Sequence, residues 1–197
     1  IYVMQPIIQA ILHEAPHVRL VINSVPSDEI NQTIVNGAAD IGIDCDKGHY
    51  PDTVIHKASL PFQACLIGSP FMNPTDQDFI SPHQRKSFSL ICNEPSANYQ
   101  RELERYFDRK DIVLNPPMKL QSIEAVKRSV MNDLGIAYVP QFSVQEELKS
   151  GALLHLKTEL DDEYFPAVCV FHRNKWVSPQ MKLTFKILHE HFEIEFD

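Results

Sequence analysis

The chain has 197 residues, enough for one large domain or two small ones, and its 44% apolar and 22% charged residues are typical of a globular protein. No apolar run approaches the roughly 18 residues of a membrane span, and the first residues include no basic leader, so we expect neither a membrane anchor nor a signal peptide. The net charge of −8 disfavours direct nucleic-acid binding by this chain, because phosphate contacts need clustered lysine and arginine.

Helix and strand patterns alternate along the first seventy residues. We predict a helix at residues 4–15, a strand at 18–22, a helix from Ser27 to Gly37, and strands at 39–43 and 62–67. The strand at 18–22 follows from its β-branched residues. Ser27 is a typical N-cap, and Asp28 and Glu29 suit the positive end of the helix dipole. The next segment, 69–86, has three prolines and little periodicity, which is typical of a linker or hinge.

A second series of strands and helices follows this break. We predict strands at 88–92, 118–120, 136–139 and 167–171, helices at 99–107, 123–134 and 143–151, and a final helix from Ser178. Ser143 and Glu146 form a capping-box pattern, and Pro179 suits the first helical position. In the predicted helix 123–134, Leu134 continues the row of apolar residues that faces the core. The alternation predicts an α/β fold with largely parallel sheets, and the break near residue 70 predicts two lobes.

The usual catalytic and cofactor motifs do not occur in this sequence. Nucleophile-elbow, P-loop, dinucleotide-binding and zinc-protease patterns are missing, and six glycines are too few for the usual phosphate-binding loop. The nine histidines lack metal-ligand spacing: Pro16 separates His13 from His17, and His189 and His191 point to different faces of a helix. We therefore expect no enzyme activity, no metal site and no cofactor.

The four cysteines, Cys45, Cys65, Cys92 and Cys169, form no close pair and no CxxC motif. Each lies in or beside an apolar run that predicts a strand. This pattern favours small buried thiols in a reducing compartment over a disulfide or a redox switch, so we expect the protein in the cytoplasm.

Three stretches and the C-terminal helix have the order and spacing of a known family. The first is APHVRLVINSVPSDEINQTIVNGAADIGI, with a strand, a helix, G-x-x-D and a short apolar strand. The second is SFSLICNEPSANYQRELERYF, with a strand, a polar loop and an amphipathic helix. The third is QSIEAVKRSVMNDLGIAYVPQFSVQEELKSGALLHL, with an L-G-I-A turn and an E-x-x-x-G-x-L end. With the terminal VSPQMKLTFKILHEHF, they resemble the effector-binding domain of LysR-type transcriptional regulators over nearly the whole chain.

The resemblance implies a fold like that of type II periplasmic binding proteins, with two Rossmann-like lobes hinged by two crossover strands. Residues 1–69 with 167–197 would form lobe I, and residues 70–166 would form lobe II. The family's N-terminal winged helix-turn-helix, and the strand that usually precedes the first helix, are absent from this sequence, so we expect a regulator fragment. Where the family usually has a glycine two residues before Gly135, this chain has Asp133, which tolerates a positive φ better than most residues.

The resemblance also implies a small-molecule effector that binds between the lobes, where carboxyl ends of strands meet helix N-termini. Such N-termini present unpaired N–H groups and partial positive charge, so we expect an anion or a carboxylate. The candidate effector-binding residues follow the predicted strands: Asn23, Ser24, Ser96, Asn98, Gln121, Ser122 and Gln141. By resemblance, the strongest candidates for contact with the effector are Ser96, Gln121 and Ser122. The alternative is that Ser27, Ser96 and Ser122 are only helix caps.

Closure of the lobes on the effector would act as the switch, because an effector that binds the closed form better shifts the population towards it. In the intact regulator, the signal would pass to DNA-binding domains carried by a homodimer or a tetramer. Similar domains pair antiparallel, which would place Ile7, Ile8 and Ile11, or the segment around Val126 and Val130, at an interface. The alternative is that these apolar rows simply pack in the core.

Two other functions stay open on the sequence. One is a free-standing solute-binding protein of the same fold, which an upstream export signal would favour. The other is an enzyme on a related two-lobe fold, which would need a clustered acid, base or nucleophile at a spacing that the sequence does not provide.

Overall fold

The computed structural model describes residues 2–45, 50–58 and 61–196. Its strands are β1 (Gly42–Cys45), β2 (Val54–Ala58), β3 (Phe62–Gly68), β4 (Gln84–Cys92), β5 (Ile112–Lys119), β6 (Gly135–Pro140), β7 (Leu154–Leu156), β8 (Tyr164–Phe165) and β9 (Ala167–His172). Its α-helices are α1 (Gln5–Glu14), α2 (Ile30–Val35), α3 (Asn98–Lys110), α4 (Ile123–Met131), α5 (Gln145–Ser150) and α6 (Pro179–Phe192). None of the helices within the described ranges is long and apolar enough to cross a membrane.

The chain forms two compact units. Unit 1 comprises Ile1–Pro61 and Pro166–Asp197, and unit 2 comprises Phe62–Phe165. The first boundary precedes the predicted one at residue 69, because β3 pairs with β6, β7 and β8, which all belong to unit 2. The segment 69–86 also lies within unit 2, so the prediction that it forms a linker or hinge is wrong.

Phe79 anchors this proline-rich segment in unit 2. Its side chain is fully buried, and its ring centroid lies 5.8 Å from that of Phe107. Its carbonyl oxygen accepts a hydrogen bond of 2.6 Å from the Tyr106 hydroxyl on α3. A single buried ring in an aperiodic segment leaves no hydrophobic period, so pattern analysis does not detect such an anchor.

The unit 2 sheet is mixed, with the strand order β5-β4-β6-β3-β7 and with β8 paired to β3. β4 is parallel to both β5 and β6, whereas β3 is antiparallel to all its neighbours. All six residues of β6 are buried, as in a strand whose two faces are both covered. Val126 and Val130 of α4 pack against this sheet with Ile91 of β4.

The unit 1 sheet has the order β1-β9-β2, and both of its pairings are antiparallel. The prediction of largely parallel sheets is therefore wrong for this unit. β9 is the strand on which the chain returns to unit 1, and its insertion between β1 and β2 produces the antiparallel arrangement. Helices α1 and α6 cover the sheet through Ile7, Ile11, Phe185 and Leu188.

The predicted strand at 18–22 does not form. Val21 is 64% exposed and Ile22 is 56% exposed, and the segment pairs with no strand among the residues that the structure describes. A β-branched run becomes a strand only where a neighbour completes its backbone hydrogen bonds, and propensity alone does not supply one. Conversely, β2 was not predicted, although it pairs with β9 over five residues.

Three predicted local features are also corrected. Ser27 is not an N-cap: it lies in a short 3₁₀ turn, and its buried hydroxyl donates to the Asp44 carboxylate at 2.7 Å. Ser143 does not form a capping box, because its hydroxyl donates to the carbonyl oxygen of Pro140 at 2.6 Å and Val144 holds the N-cap position of α5. Leu134 does not point inward, because α4 ends at Met131 and Leu134 is 58% exposed.

Other turn predictions are confirmed. Asp133 adopts a positive φ of 59°, as expected for a residue in the place of the family's glycine. Gly151 ends α5 with a φ of 74°. Ser178 caps α6, since its hydroxyl oxygen accepts from the Met181 backbone nitrogen at 3.2 Å.

The apolar rows that could have formed an interface between copies pack inside each unit. Ile7, Ile11, Val126 and Val130 are 0–5% exposed and belong to the cores described above. The prediction that they lie at an interface is therefore wrong. Ile8 is half-buried and remains partly accessible.

Candidate functional site

Three neighbouring parallel strands of unit 2 end at one edge of its sheet. In the order β5-β4-β6, each strand runs in the same direction, so their carboxyl ends lie side by side. The turns after β4 and β5 lead directly into α3 and α4, and the turn after β6 leads into a 3₁₀ turn. This edge gathers five of the seven predicted effector-binding residues: Ser96, Asn98, Gln121, Ser122 and Gln141.

The turn after β4 is held by a short hydrogen bond from the Ser96 hydroxyl to the Glu94 carboxylate. The backbone nitrogen of Ala97 donates to the carbonyl oxygen of Glu94 at 3.2 Å, and Ala97 occupies the N-cap position of α3. Ser96 is therefore not a helix cap. Asn98 is the first helical residue and is half-buried, so its amide lies where a ligand could reach it.

The turn after β5 presents two exposed polar residues, Gln121 and Ser122. The Ser122 hydroxyl oxygen accepts from the Ala125 backbone nitrogen at 3.2 Å, so Ser122 is the N-cap of α4. This bond leaves the hydroxyl hydrogen available to donate to a second group. The backbone nitrogen of Leu120 donates to the carbonyl oxygen of Cys92 at 2.9 Å, which ties this turn to the end of β4.

The turn after β6 begins at Gln141, which is half-buried. Its carbonyl oxygen accepts from the Val144 backbone nitrogen at 3.2 Å, which holds the backbone of this turn. An amide can both donate to and accept from a bound molecule.

Asn23 and Ser24 lie in unit 1, in the exposed segment that precedes Ser27. They follow no strand, because the predicted strand at 18–22 does not form. The strand-end argument that selected them therefore fails, and only the resemblance supports them.

The helix starts contribute positive potential to the unit 2 edge, next to the carboxylates of Glu94 and Glu124. α3 has 13 residues and α4 has nine, and each begins where a strand ends, so their free N–H groups and positive dipole ends meet at the same edge. Burial raises the pKa of the Cys92 thiol at the end of β4, and the neighbouring Glu104 adds to the shift. The thiol is therefore protonated at neutral pH, and the edge suits an anionic ligand better than nucleophilic chemistry.

Sequence patterns missed two buried polar atoms beside this edge. The Gln100 side-chain nitrogen, in the first turn of α3, and the Tyr138 hydroxyl, on β6, are both buried and have no hydrogen-bond partner among the described residues. Gln100 is 1% exposed, and its spacing from Leu103 and Phe107 on the buried face of α3 was the available signal. Buried polar groups without partners are rare in proteins, so both atoms are candidates for ligand contact.

Aromatic rings surround the Tyr138 side chain. Its ring centroid lies 6.2 Å from that of Tyr99 and 6.4 Å from that of Phe165, and Phe62 lies 6.1 Å from both of these rings. These contacts fix the start of α3 against β6. Burial, with Cys65 and Asp161 nearby, raises the pKa of the Tyr138 hydroxyl far above its usual value, so this group acts only as a neutral donor or acceptor.

The remaining titratable chemistry does not indicate a reaction centre. Burial raises the pKa of the Cys65 and Cys169 thiols to about 12, so both are protonated thiols at neutral pH. All four cysteines are free of disulfides. Across residues 2–45, 50–58 and 61–196, no group of three or more histidine, cysteine, aspartate or glutamate side chains could hold a metal ion.

Known proteins match this chain over nearly its whole length. The sequence profile of the LysR substrate binding domain matches residues 1–193. The HTH-type transcriptional regulator YfiE of Escherichia coli (strain K12) is 31% identical over 192 residues, which are 97% of this chain and 64% of YfiE. The chain thus spans just under two thirds of that relative. The curated relatives are transcriptional regulators, which confirms the prediction that the chain is not an enzyme.

Solved structures with the same fold are also regulatory domains. The regulatory domain of CcmR from Synechocystis PCC6803, in complex with 2-PG, has a TM-score of 0.79 at 15% identity, over 98% of this chain and 92% of that one. The apo regulatory domain of HypT from Salmonella typhimurium has a TM-score of 0.73 at 14% identity, over 95% and 89%. At these identities the likeness concerns the fold, and it confirms the predicted periplasmic-binding-protein-like α/β class.

Proposed function

Because the chain belongs to the LysR substrate-binding domain family, we propose that it is the effector-sensing part of a transcriptional regulator. It would bind a small molecule and pass the signal to a helix-turn-helix DNA-binding domain. The family profile covers residues 1–193, so that DNA-binding domain would lie in another part of the regulator. The name of YfiE, an HTH-type transcriptional regulator, supports this arrangement.

The observation that carries this proposal is the shared edge of β5, β4 and β6. Three turns rich in hydroxyls and amides meet there, whereas the thiols of the edge and the core are protonated. Such an edge can bind a polar molecule, but it offers no activated nucleophile. Recognition without chemistry is what an effector domain requires.

An anion or a carboxylate is the effector class that suits this edge. The N–H groups at the starts of α3 and α4 favour negative charge, and Ser122, Gln121 and Asn98 can add donors from their side chains. The Ser96 hydroxyl already donates to Glu94, so Ser96 would act as an acceptor or would change partner when a ligand binds. Gln141 would contribute from the turn after β6.

We retain Asn23 and Ser24 as candidate effector contacts, on the resemblance alone. Both side chains are exposed in unit 1. An effector that binds one form of the domain better would shift the population by no more than its difference in affinity for the two forms.

A thermal-shift screen of amino acids, organic acids and inorganic anions tests the proposal. A specific binder raises the melting temperature, because it stabilises the folded state by RT ln(1 + [L]/Kd). We expect a carboxylate or another oxyanion to give the largest shift. If no compound of these classes raises the melting temperature at concentrations of several millimolar, the proposed function is contradicted.

The variant Ser122→Ala then tests the site. We expect the affinity for the effector to fall by about 1 kcal/mol or more, because a ligand oxygen loses its donor. Ser178→Ala is the matched control: it removes an N-cap bond of the same length, 3.2 Å, from α6 in unit 1. Calorimetry that finds equal affinity in wild type and Ser122→Ala would remove Ser122 from the site.

Homodimer or tetramer formation, and a cytoplasmic location, belong to the same proposal. The exposed faces of α1 and α4 are left for contacts between copies, because their inner faces pack in the cores. Sedimentation velocity should find a dimer or a tetramer of this chain at micromolar concentration. A monomer at all concentrations would restrict any assembly to parts of the regulator outside this chain.

A further inference from the structure

Unit 1 contains an open cleft with a volume of about 1090 Å3. It lies beside the edge strand β2, between that strand and α6, and all its lining residues belong to unit 1. Small-molecule sites usually occupy roughly 300–1,000 Å3, so the cleft has room for a ligand of ordinary size. The proposed effector residues of unit 2 take no part in it.

The floor of the cleft is aromatic. Phe185 of α6 lies against Phe171 of β9, with ring centroids 4.9 Å apart, and stacks on Phe196, with centroids 4.4 Å apart. Ile55 of β2 and Val177 add aliphatic surface. Phe171 and Phe185 are each only 8% exposed, so the apolar surface that a flat ring or a short acyl chain could cover is that of the half-buried Phe196, Ile55 and Val177.

The rim of the cleft is cationic, although the chain as a whole is acidic. Its charged lining comprises the cations Lys57, Arg173, Lys175, Lys182 and Lys186, and the acids Asp52 and Glu195. In a chain with 18 lysines and arginines against 26 aspartates and glutamates, this excess of cations is a local reversal of charge.

Two of these cations are available to a ligand. The Arg173 Nε donates to the backbone carbonyl of Asp52 at 2.6 Å, which positions the guanidinium and leaves its terminal nitrogens without a partner among the described residues. Lys182 is exposed and forms no ion pair within the same part of the chain. By contrast, Lys175 is paired with Asp40 at 2.6 Å. The Lys186 ammonium lies 3.9 Å from the Glu14 carboxylate and 3.7 Å from the Glu190 carboxylate.

We propose that this cleft is a second ligand site, for a small amphipathic anion with an aromatic or short acyl body and a carboxylate group. The body covers Phe196 and Val177, and the carboxylate meets Arg173 and Lys182. A guanidinium suits this task because its planar fork matches both oxygens of a carboxylate. An inorganic anion would leave the apolar floor uncovered.

A ¹⁹F NMR titration of the 197-residue chain with 4-fluorobenzoate tests this site. We expect saturable binding, and the neutral 4-fluorobenzyl alcohol should bind about tenfold more weakly because it lacks the charge-assisted bonds. Sulfate should not compete at equal concentration. If 4-fluorobenzoate does not saturate up to about 20 mM, or if the alcohol binds equally well, the site does not exist as proposed.

The variants Lys182→Gln and Arg173→Gln locate the binding. We expect each to weaken 4-fluorobenzoate about fivefold and the pair together by more than either alone. Lys182 makes no side-chain bond within the described residues, so its variant keeps the fold. The controls are Lys149→Gln and Arg105→Gln, which remove cations of unit 2 that are 71% and 70% exposed. Equal weakening by the controls would show a general charge effect and overturn the proposal.

One further comparison separates this site from the effector site. Ser122→Ala and Gln121→Ala in unit 2 should leave the affinity for 4-fluorobenzoate unchanged. If they weaken it as much as Lys182→Gln does, the probe occupies the unit 2 edge and the cleft is not a second site. The failure of either proposal therefore leaves the other one standing.

Discussion

The two units differ in how their sheets present side chains. In unit 2, β4 lies between two parallel neighbours, so three strands end together and their following turns form one polar edge. In unit 1, β9 is antiparallel to both neighbours, so successive strand ends alternate between opposite edges. The parallel arrangement gathers residues that are distant in the sequence, and the antiparallel one disperses them. Strand direction thus explains why the candidates after β4, β5 and β6 converge, whereas Asn23 and Ser24 of unit 1 follow no strand.

The units also differ in how completely they bury their apolar residues. Unit 2 buries even its proline-rich segment, through Phe79. Unit 1 leaves Val21 and Ile22 in water and keeps an open cleft beside β2. Three of the four predictions below test the packing and turns of unit 2, and one tests a buried thiol in each unit, from the largest expected effect to the smallest.

Leu103→Ala should cause the largest loss. Leu103 on α3 is fully buried in unit 2, so its truncation removes apolar burial and leaves a cavity, at a cost of about 2–5 kcal/mol. Leu134→Ala is the control: Leu134 is 58% exposed, and the change should cost less than about 0.5 kcal/mol. Urea denaturation measures both. Similar costs for the two variants would contradict the burial of Leu103 and the exposure of Leu134.

Tyr106→Phe should cost about 1–3 kcal/mol, because the carbonyl oxygen of Phe79 loses its donor inside unit 2. Tyr164→Phe, at a residue that is 58% exposed, should be near neutral. Hydrogen exchange should also show faster opening of residues 72–80 in Tyr106→Phe alone. If stability and exchange there match wild type, the segment 69–86 is not anchored as described.

Raising the pH should destabilise both units through their buried thiols. The pKa of Cys65 in unit 2 and of Cys169 in unit 1 is raised from 9.0 to about 12, so the folded state keeps protons that the unfolded state loses between pH 9 and 12. Stability therefore falls as the pH rises through this window, by roughly 1 kcal/mol per thiol at pH 10.

The variants Cys65→Ala and Cys169→Ala should each lose less stability than wild type between pH 8 and pH 10. Denaturation curves at the two pH values give this difference directly. A loss equal to that of wild type in both variants would show that the thiols ionise in the folded state.

Asp133→Gly should give the smallest effect, a gain of about 0.5–1 kcal/mol. Asp133 has a φ of 59°, where an L side chain is strained and glycine is not. Asp111 has a similar φ of 52°, but its carboxylate pairs with Arg85 at 2.9 Å and with His83 at 2.9 Å. Asp111→Gly should therefore gain less, and an equal gain would mean that these exposed pairs contribute nothing.

The sequence predicted the parts of the fold that depend on local pattern. The periodic helices α3 and α6, the cap at Ser178 and the strained turn at Asp133 all follow from residues close together in the chain. The strand at 18–22 was wrong because a strand depends on its neighbour rather than on its own residues. Strand direction and the insertion of β9 were missed for the same reason.

The sequence also predicted part of the candidate site and missed another part. The sequence placed polar residues correctly in the turns after β4, β5 and β6, because those turns are rich in hydroxyl and amide side chains. The unpartnered atoms of Gln100 and Tyr138 were missed, since pairing in three dimensions decides whether a buried polar group has a partner. Which of these residues contact an effector stays a prediction.

The most direct test of an effector site in unit 2 is an amide NMR map. The ¹⁵N-labelled chain would be titrated with the carboxylate or oxyanion that most raises its melting temperature. We predict that the largest shifts fall together on residues 94–98, 121–123 and 141, in the three turns at the edge of β5, β4 and β6. Shifts confined to other parts of the chain, or no shift with any compound of these classes, would contradict the proposed effector site.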